Sequence, residues 1–125
     1  MKATITIFLF ITFLTSCQNE IKAKFEITNR TDTVIDSINI KSNDHNNTSD
    51  FIKLEKDESK IYFMNMTDLP KVDGDYLLTF RTENTGVIRF ERFGYFTNGY
   101  PLEDITKIII ETDTVIIDQI YNQEY

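Results

Sequence analysis

Few side chains in this 125-residue chain are spaced for chemistry, and each has an ordinary structural reading beside it. Asp44, Asn46, Thr48, Asp50 and Glu55 fall at positions 1, 3, 5, 7 and 12 of a calcium-loop spacing, with the hard oxygen ligands that Ca²⁺ takes. Ser49 stands where that loop requires glycine, Ile52 occupies position 9, and the flanks read as strands, so a solvated loop is expected and no metal ligand is assigned. His45, the only histidine, lies in the same loop without the thiolates or further carboxylates of a zinc site, and is expected at the surface. It is also the only histidine available as base to a serine nucleophile, and no G-x-S-x-G context exists. The acid pairs Asp73/Asp75 and Glu103/Asp104 have the chemistry for acid-base work on a glycoside, but acids at turns ordinarily serve as solvated surface charge. The expectation is a protein that is not an enzyme and carries no cofactor.

Recognition is the better use of the remaining side chains. Phe90, Phe93, Tyr95, Phe96 and Tyr100 lie within eleven residues. Period-two alternation cannot bury them all on one sheet face, so Phe93, Tyr95, Phe96 and Tyr100 are candidate binding residues. Phe96 and Tyr100 are the two expected to project outward, where a ring can stack on a sugar or enter a partner's pocket.

Cys17 is the only thiol, and the segment before it decides its use. Lys2 is followed by an apolar stretch from Ala3 to Leu14 interrupted by small threonines, the layout of a secretory signal and too short for a comfortable membrane span. Leu14-Thr15-Ser16-Cys17 resembles the bacterial lipobox. That resemblance implies acylation of the Cys17 thiol and cleavage between Ser16 and Cys17, with residues 1–16 as signal peptide, 17–20 as lipidated tether and 21–125 as the folded domain. It also implies a lipid anchor in the cell envelope. Outer-membrane delivery is favoured, because Gln18-Asn19-Glu20 lacks the aspartate that retains some lipoproteins in the inner membrane. The chain is similar in this to small lipoproteins of Bacteroidota. Three tripeptides, Asp32-Thr33-Val34, Asp36-Ser37-Ile38 and Asp113-Thr114-Val115, resemble the O-glycosylation motif of exported proteins in that group, which makes Thr33, Ser37 and Thr114 candidate acceptors.

The folded part must position these residues without disulfides, since lipid consumes the single cysteine. The chain carries 13 basic and 20 acidic residues, a formal charge of −7 that becomes −8 when Lys2 leaves with the signal. Such a surface lacks the Lys/Arg patches that nucleic acid or anionic lipid requires.

From Ile21 the pattern is that of strands: Ile21, Ala23, Phe25 and Ile27 alternate with polar residues, followed by a turn at Asn29-Arg30-Thr31-Asp32. Strands are further expected over Val34 to Ile40, Phe51 to Leu54, Lys60 to Met66, Asp75 to Thr82, Val87 to Thr97, Ile105 to Glu111 and Thr114 to Tyr121. A bulge near Glu91-Arg92 would bring Ile88, Phe90, Phe93 and Tyr95 to one face. No window shows helical periodicity with caps. The expected fold is an all-β antiparallel sandwich of about seven to eight strands, immunoglobulin-like, after the cleaved signal. Asp73-Gly74-Asp75-Tyr76 resembles the Gly-x-Tyr strand openings of immunoglobulin-like and transthyretin-like sandwiches.

Thr31-Asp32-Thr33-Val34-Ile35 recurs as Thr112-Asp113-Thr114-Val115-Ile116, and reads as two similar hairpin turns, not duplicated domains. Together these features predict a membrane-anchored, non-enzymatic envelope lipoprotein that binds a protein partner or assists assembly, through a sheet edge extended by Tyr121 and Tyr125 or through Phe93 to Tyr100. The alternative is a glycan-binding accessory that uses the same aromatics.

Overall fold

A computed structural model describes residues 19–45, 47 and 49–122. The signal segment, Cys17 and Tyr125 lie outside the described residues, as do Asn46 and Thr48 of the calcium-like loop. Nine strands and no helix occur among the described residues: β1 (Lys22–Asn29), β2 (Ile35–Ser42), β3 (Ile52–Leu54), β4 (Ser59–Asn65), β5 (Gly74–Thr82), β6 (Ile88–Thr97), β7 (Tyr100–Pro101), β8 (Ile105–Ile110) and β9 (Val115–Ile120).

They form two packed sheets, ordered β4-β1-β8-β9 and β3-β2-β5-β6-β7, so the chain is a β-sandwich. Two features differ from the expected arrangement. The β1–β8 pair is parallel, which follows from β8 entering beside β1 after a crossover from the other sheet. In addition β1 and β2 lie in opposite sheets, whereas an immunoglobulin domain keeps its first two strands together. The ninth strand is the two-residue β7, produced by a tight turn at Asn98-Gly99. Both residues have positive φ (51° and 72°), the geometry of the Asn-Gly hairpin.

Alternation fills the space between the sheets. Ala23, Phe25 and Ile27 of β1, Ile35, Ile38 and Ile40 of β2, Tyr76, Leu78 and Phe80 of β5, and Ile108 and Ile110 of β8 are buried. Phe25 stands edge-on to Tyr76 (5.2 Å, 85°) and to Phe93 (5.8 Å, 85°), the geometry that brings positive ring edges to negative ring faces. Two polar side chains tie strands together through the interior. The Tyr62 hydroxyl reaches across from β4, donating to the Asp50 carbonyl (2.7 Å) and accepting from Ile40 N–H (3.3 Å). Asn29, which ends β1, is fully buried: its amide donates to the carbonyls of Thr33, Leu54 and Glu55, and its oxygen accepts from Thr31 N–H and Oγ1. The turn expected to begin at Asn29 therefore starts one residue later, from a strand end locked by its own side chain.

Candidate functional site

The aromatic cluster is arranged by an irregularity in β6. Tyr76 of β5 faces Phe93, and Gly74 faces Phe96, so three steps along β6 match two along β5. The extra residue is Gly94, whose φ of +65° marks a bulge that a glycine takes without strain. This corrects the bulge expected at Glu91-Arg92. The shift turns both Phe93 and Phe96 into the core. Phe96 is fully buried, its ring against Gly74, where a Cβ would come within 2.5 Å of Phe96 Cζ. As an outward stacking surface, therefore, Phe96 and Phe93 are corrected: a residue sealed between sheets cannot touch a ligand at the surface.

Tyr95 and Tyr100 remain half exposed, each at 49%, and both are engaged within the chain. Tyr95 OH donates to Asp73 Oδ2 (2.5 Å), while Asp73 Oδ1 accepts from Thr97 Oγ1 (2.7 Å) and Asn98 N–H (3.1 Å). Those donors, the Tyr95 phenol foremost, hold the Asp73 carboxyl below its ordinary range, and the hydrogen bond to that carboxylate pushes the phenol's own pKa up. The Lys71 ammonium lies 5.0 Å from the Tyr100 ring centre, a cation–π contact. These residues fasten the 70–73 loop to the β6–β7 hairpin.

Upstream of the bulge the same strand presents its other face. Ile88 (53% exposed) and Phe90 (65%) point outward from the sheet, and Phe51 (69%) comes beside them from the start of β3. With Ser37, Thr79 and Arg81 they line a shallow groove of about 310 Å³. Ile88 pairs with Arg81 and Phe90 with Thr79 in the ladder, which fixes their spacing. Arg81 is oriented by a two-point ion pair with Asp36 (3.0 and 2.9 Å), and the guanidinium holds the Asp36 carboxyl below its ordinary range. Sequence reasoning missed this surface because the misplaced bulge put Ile88 and Phe90 on the same face as Phe93. The opposite parity of Ile88 and Phe90 to Phe93 was the signal that could have revealed it.

The other candidates are dispersed. Asp75 pairs with Arg92 (2.9 Å), and Asp104 Oδ2 accepts from Asn122 N–H (2.6 Å). Glu103 is 5% exposed and faces the buried Tyr76 hydroxyl without a hydrogen bond to it; burial is the main reason that the Tyr76 pKa is pushed up. Neither acid pair thus presents two free carboxyls to a cleft. His45 is half-buried in the 43–50 loop. Among the described residues no group of three or more His, Cys, Asp or Glu could hold a metal ion. Ser37 is half-buried in β2, Thr33 half-buried before β2, and Thr114 exposed in the β8–β9 turn.

No family model and no curated protein matches the chain. A solved structure is similar to it, described as the NMR structure of the protein from Eubacterium rectale. The match has 15% identity, covers 83% of this chain and 93% of that chain, and has a TM-score of 0.52. What the two share is the fold.

Proposed function

We propose that this chain is the folded part of a lipid-anchored, non-enzymatic envelope lipoprotein that binds a protein partner, with Phe51, Ile88 and Phe90 as the anchors of the contact. The observation that carries the reading is that three large apolar side chains, each more than half exposed, line one groove on the outer face of a sheet. Burying each against a partner is worth about 1.5–3 kcal/mol, so the three together offset a substantial part of the cost of association. Ser37, Thr79 and Arg81 supply the polar rim that such contacts use. The proposed membrane tether rests on Leu14-Thr15-Ser16-Cys17, whose resemblance to the lipobox supports an envelope location, on the periplasmic or outer surface of the outer membrane.

Glycan binding by the aromatics from Phe93 to Tyr100 is the weaker reading. Phe93 and Phe96 are in the core, and Tyr95 and Tyr100 are held by Asp73 and Lys71.

Crosslinking in intact cells, followed by extraction of the lipidated protein in mild detergent, tests the proposal. The expected result is one envelope protein that co-purifies with the natural chain and is lost with Phe90→Asp. Recovery of the same proteins with both chains, or of none with either, overturns it. Mass analysis of the N-terminal fragment tests the anchor: the acyl mass should sit on Cys17 and vanish in Cys17→Ser.

A further inference from the structure

The repeated pentapeptide acquires a spatial meaning from the parallel β1–β8 pair. Asn29 at the end of β1 faces Ile110 at the end of β8, and Arg30 N–H donates to the Ile110 carbonyl (2.8 Å). Thr31 lies two residues beyond Asn29, as Thr112 lies two beyond Ile110, so parallel pairing delivers both Thr-Asp-Thr turns in register to one end of the sandwich. There they meet the β5–β6 turn and enclose a pocket of about 280 Å³, lined by Thr31, Asp32 and Thr33 of one copy and Thr112 of the other, with Asn84 and Arg89 from the adjoining turn and strand.

Arg89 is the organising group. Its guanidinium lies over the Phe80 ring (4.9 Å), and Nη1 donates to the carbonyls of Thr112 (3.0 Å) and Glu111 (3.4 Å). Nε and Nη2 make no hydrogen bond to protein, and no carboxylate pairs with Arg89 among the described residues. A guanidinium held at a pocket wall by its stack and one nitrogen, with its remaining donors uncommitted, is suited to a carboxylate. Around it, the Thr33 and Thr112 hydroxyls, the Asn84 amide and the Asp32 carboxylate also make no side-chain hydrogen bond among the described residues. They offer both donors and acceptors to hydroxyl groups of a ligand.

We propose that this end pocket is a binding site for a small hydroxylated carboxylate of one sugar ring, an acidic monosaccharide unit: the carboxylate on Arg89, the hydroxyls on Asp32, Thr33 and Asn84. The volume lies near the lower bound of small-ligand sites, roughly 300–1,000 Å³, which fits one ring. The site uses the odd-numbered face of β6 and is independent of the Phe51–Phe90 groove and of the protein-binding proposal.

Titration of the ¹⁵N-labelled full protein in mild detergent with glucuronate, glucose and inorganic phosphate, followed by NMR, tests it. Glucuronate should shift the amide signals of residues 31–33, 84–87 and 112, while glucose and phosphate each bind at least about tenfold more weakly, since one lacks the charge and the other the hydroxyls. Arg89→Gln should weaken glucuronate at least about tenfold. Asp32→Asn, an exposed change outside the core, should weaken it severalfold while leaving the spectrum of the fold intact, which guards against a folding defect in the arginine variant. The absence of glucuronate shifts at these residues overturns the site. Glucose binding as tightly as glucuronate overturns the role of Arg89, and phosphate binding as tightly reduces the pocket to a plain anion site and overturns the ligand class.

Discussion

Two residues carry more of the structure than their types suggest. Gly94 holds φ at +65° in the bulge, and a Cβ there would come within 2.9 Å of Tyr76 Cδ2 and of Gln119 Nε2. Gly94→Ala should therefore cost about 1–3 kcal/mol from backbone strain and packing together, measured by urea unfolding. A loss below 0.5 kcal/mol would mean that the bulge is not what orients Phe93 and Phe96. Asp73 accepts three hydrogen bonds as a carboxylate, so its folded pKa lies below the ordinary value of 3.8. A depressed carboxylate stabilises the fold above its unfolded pKa, and that contribution is lost as pH falls through the folded pKa. Asp73→Asn should thus lower Tm at pH 7, and the gap to the natural protein should close as the pH falls below the ordinary value of 3.8 and through the depressed folded pKa. A gap that stays constant with pH would show that packing, not charge, is what the side chain supplies.

Among the elements, β6 does two jobs on one strand: it exposes Ile88 and Phe90 ahead of its bulge, while Phe93 and Phe96, on either side of Gly94, are both core. The two sheets are held in register by contacts that cross between them, above all the Tyr62 hydroxyl from β4 onto β2 and the 49–51 segment. Tyr62→Phe keeps the ring and removes only the hydroxyl's hydrogen bonds, so it should cost about 1–2 kcal/mol in chemical denaturation. An unchanged midpoint would assign the inter-sheet hold to apolar packing alone. The edge strand β9, Val115–Ile120, carries a single charged residue, Asp118, and no proline. Such an edge has little of the protection that natural edges use.

At the scale of the molecule, β1 pairs with β4 and β8 and β2 with β5, joining segments far apart along the chain. Loop-closure entropy must be met before such pairs contribute, so refolding should take milliseconds to seconds in stopped-flow tyrosine fluorescence, the chain having no tryptophan. A single microsecond phase would contradict a sandwich that assembles through its distant strands. The same topology places the two proposed binding surfaces. The apolar groove lies on one sheet's outer face and the Thr-Asp-Thr pocket lies at one end, each built from strands or turns that are not neighbours in sequence.

Strand positions, turn positions and the all-β class were legible in the sequence because they follow from local rules: period-two alternation, β-branched runs, and Gly, Asn and Asp at turns. The Leu14-Thr15-Ser16-Cys17 motif is likewise local, and it remains the basis of the proposed anchor. The bulge was expected but misplaced, because alternation reports that parity must change and not at which residue. Gly94 suits that place because its φ is positive and its backbone lies close against Tyr76 and Gln119, where a Cβ would have no room. Tertiary structure alone decided that Phe51 joins Ile88 and Phe90, that Phe96 is inside, and that the two copies of Thr-Asp-Thr stand side by side. The physical reason is the same in each case: these contacts depend on which distant strands pair and in what register, and the parallel β1–β8 pairing is set by how the whole core packs, not by either strand alone.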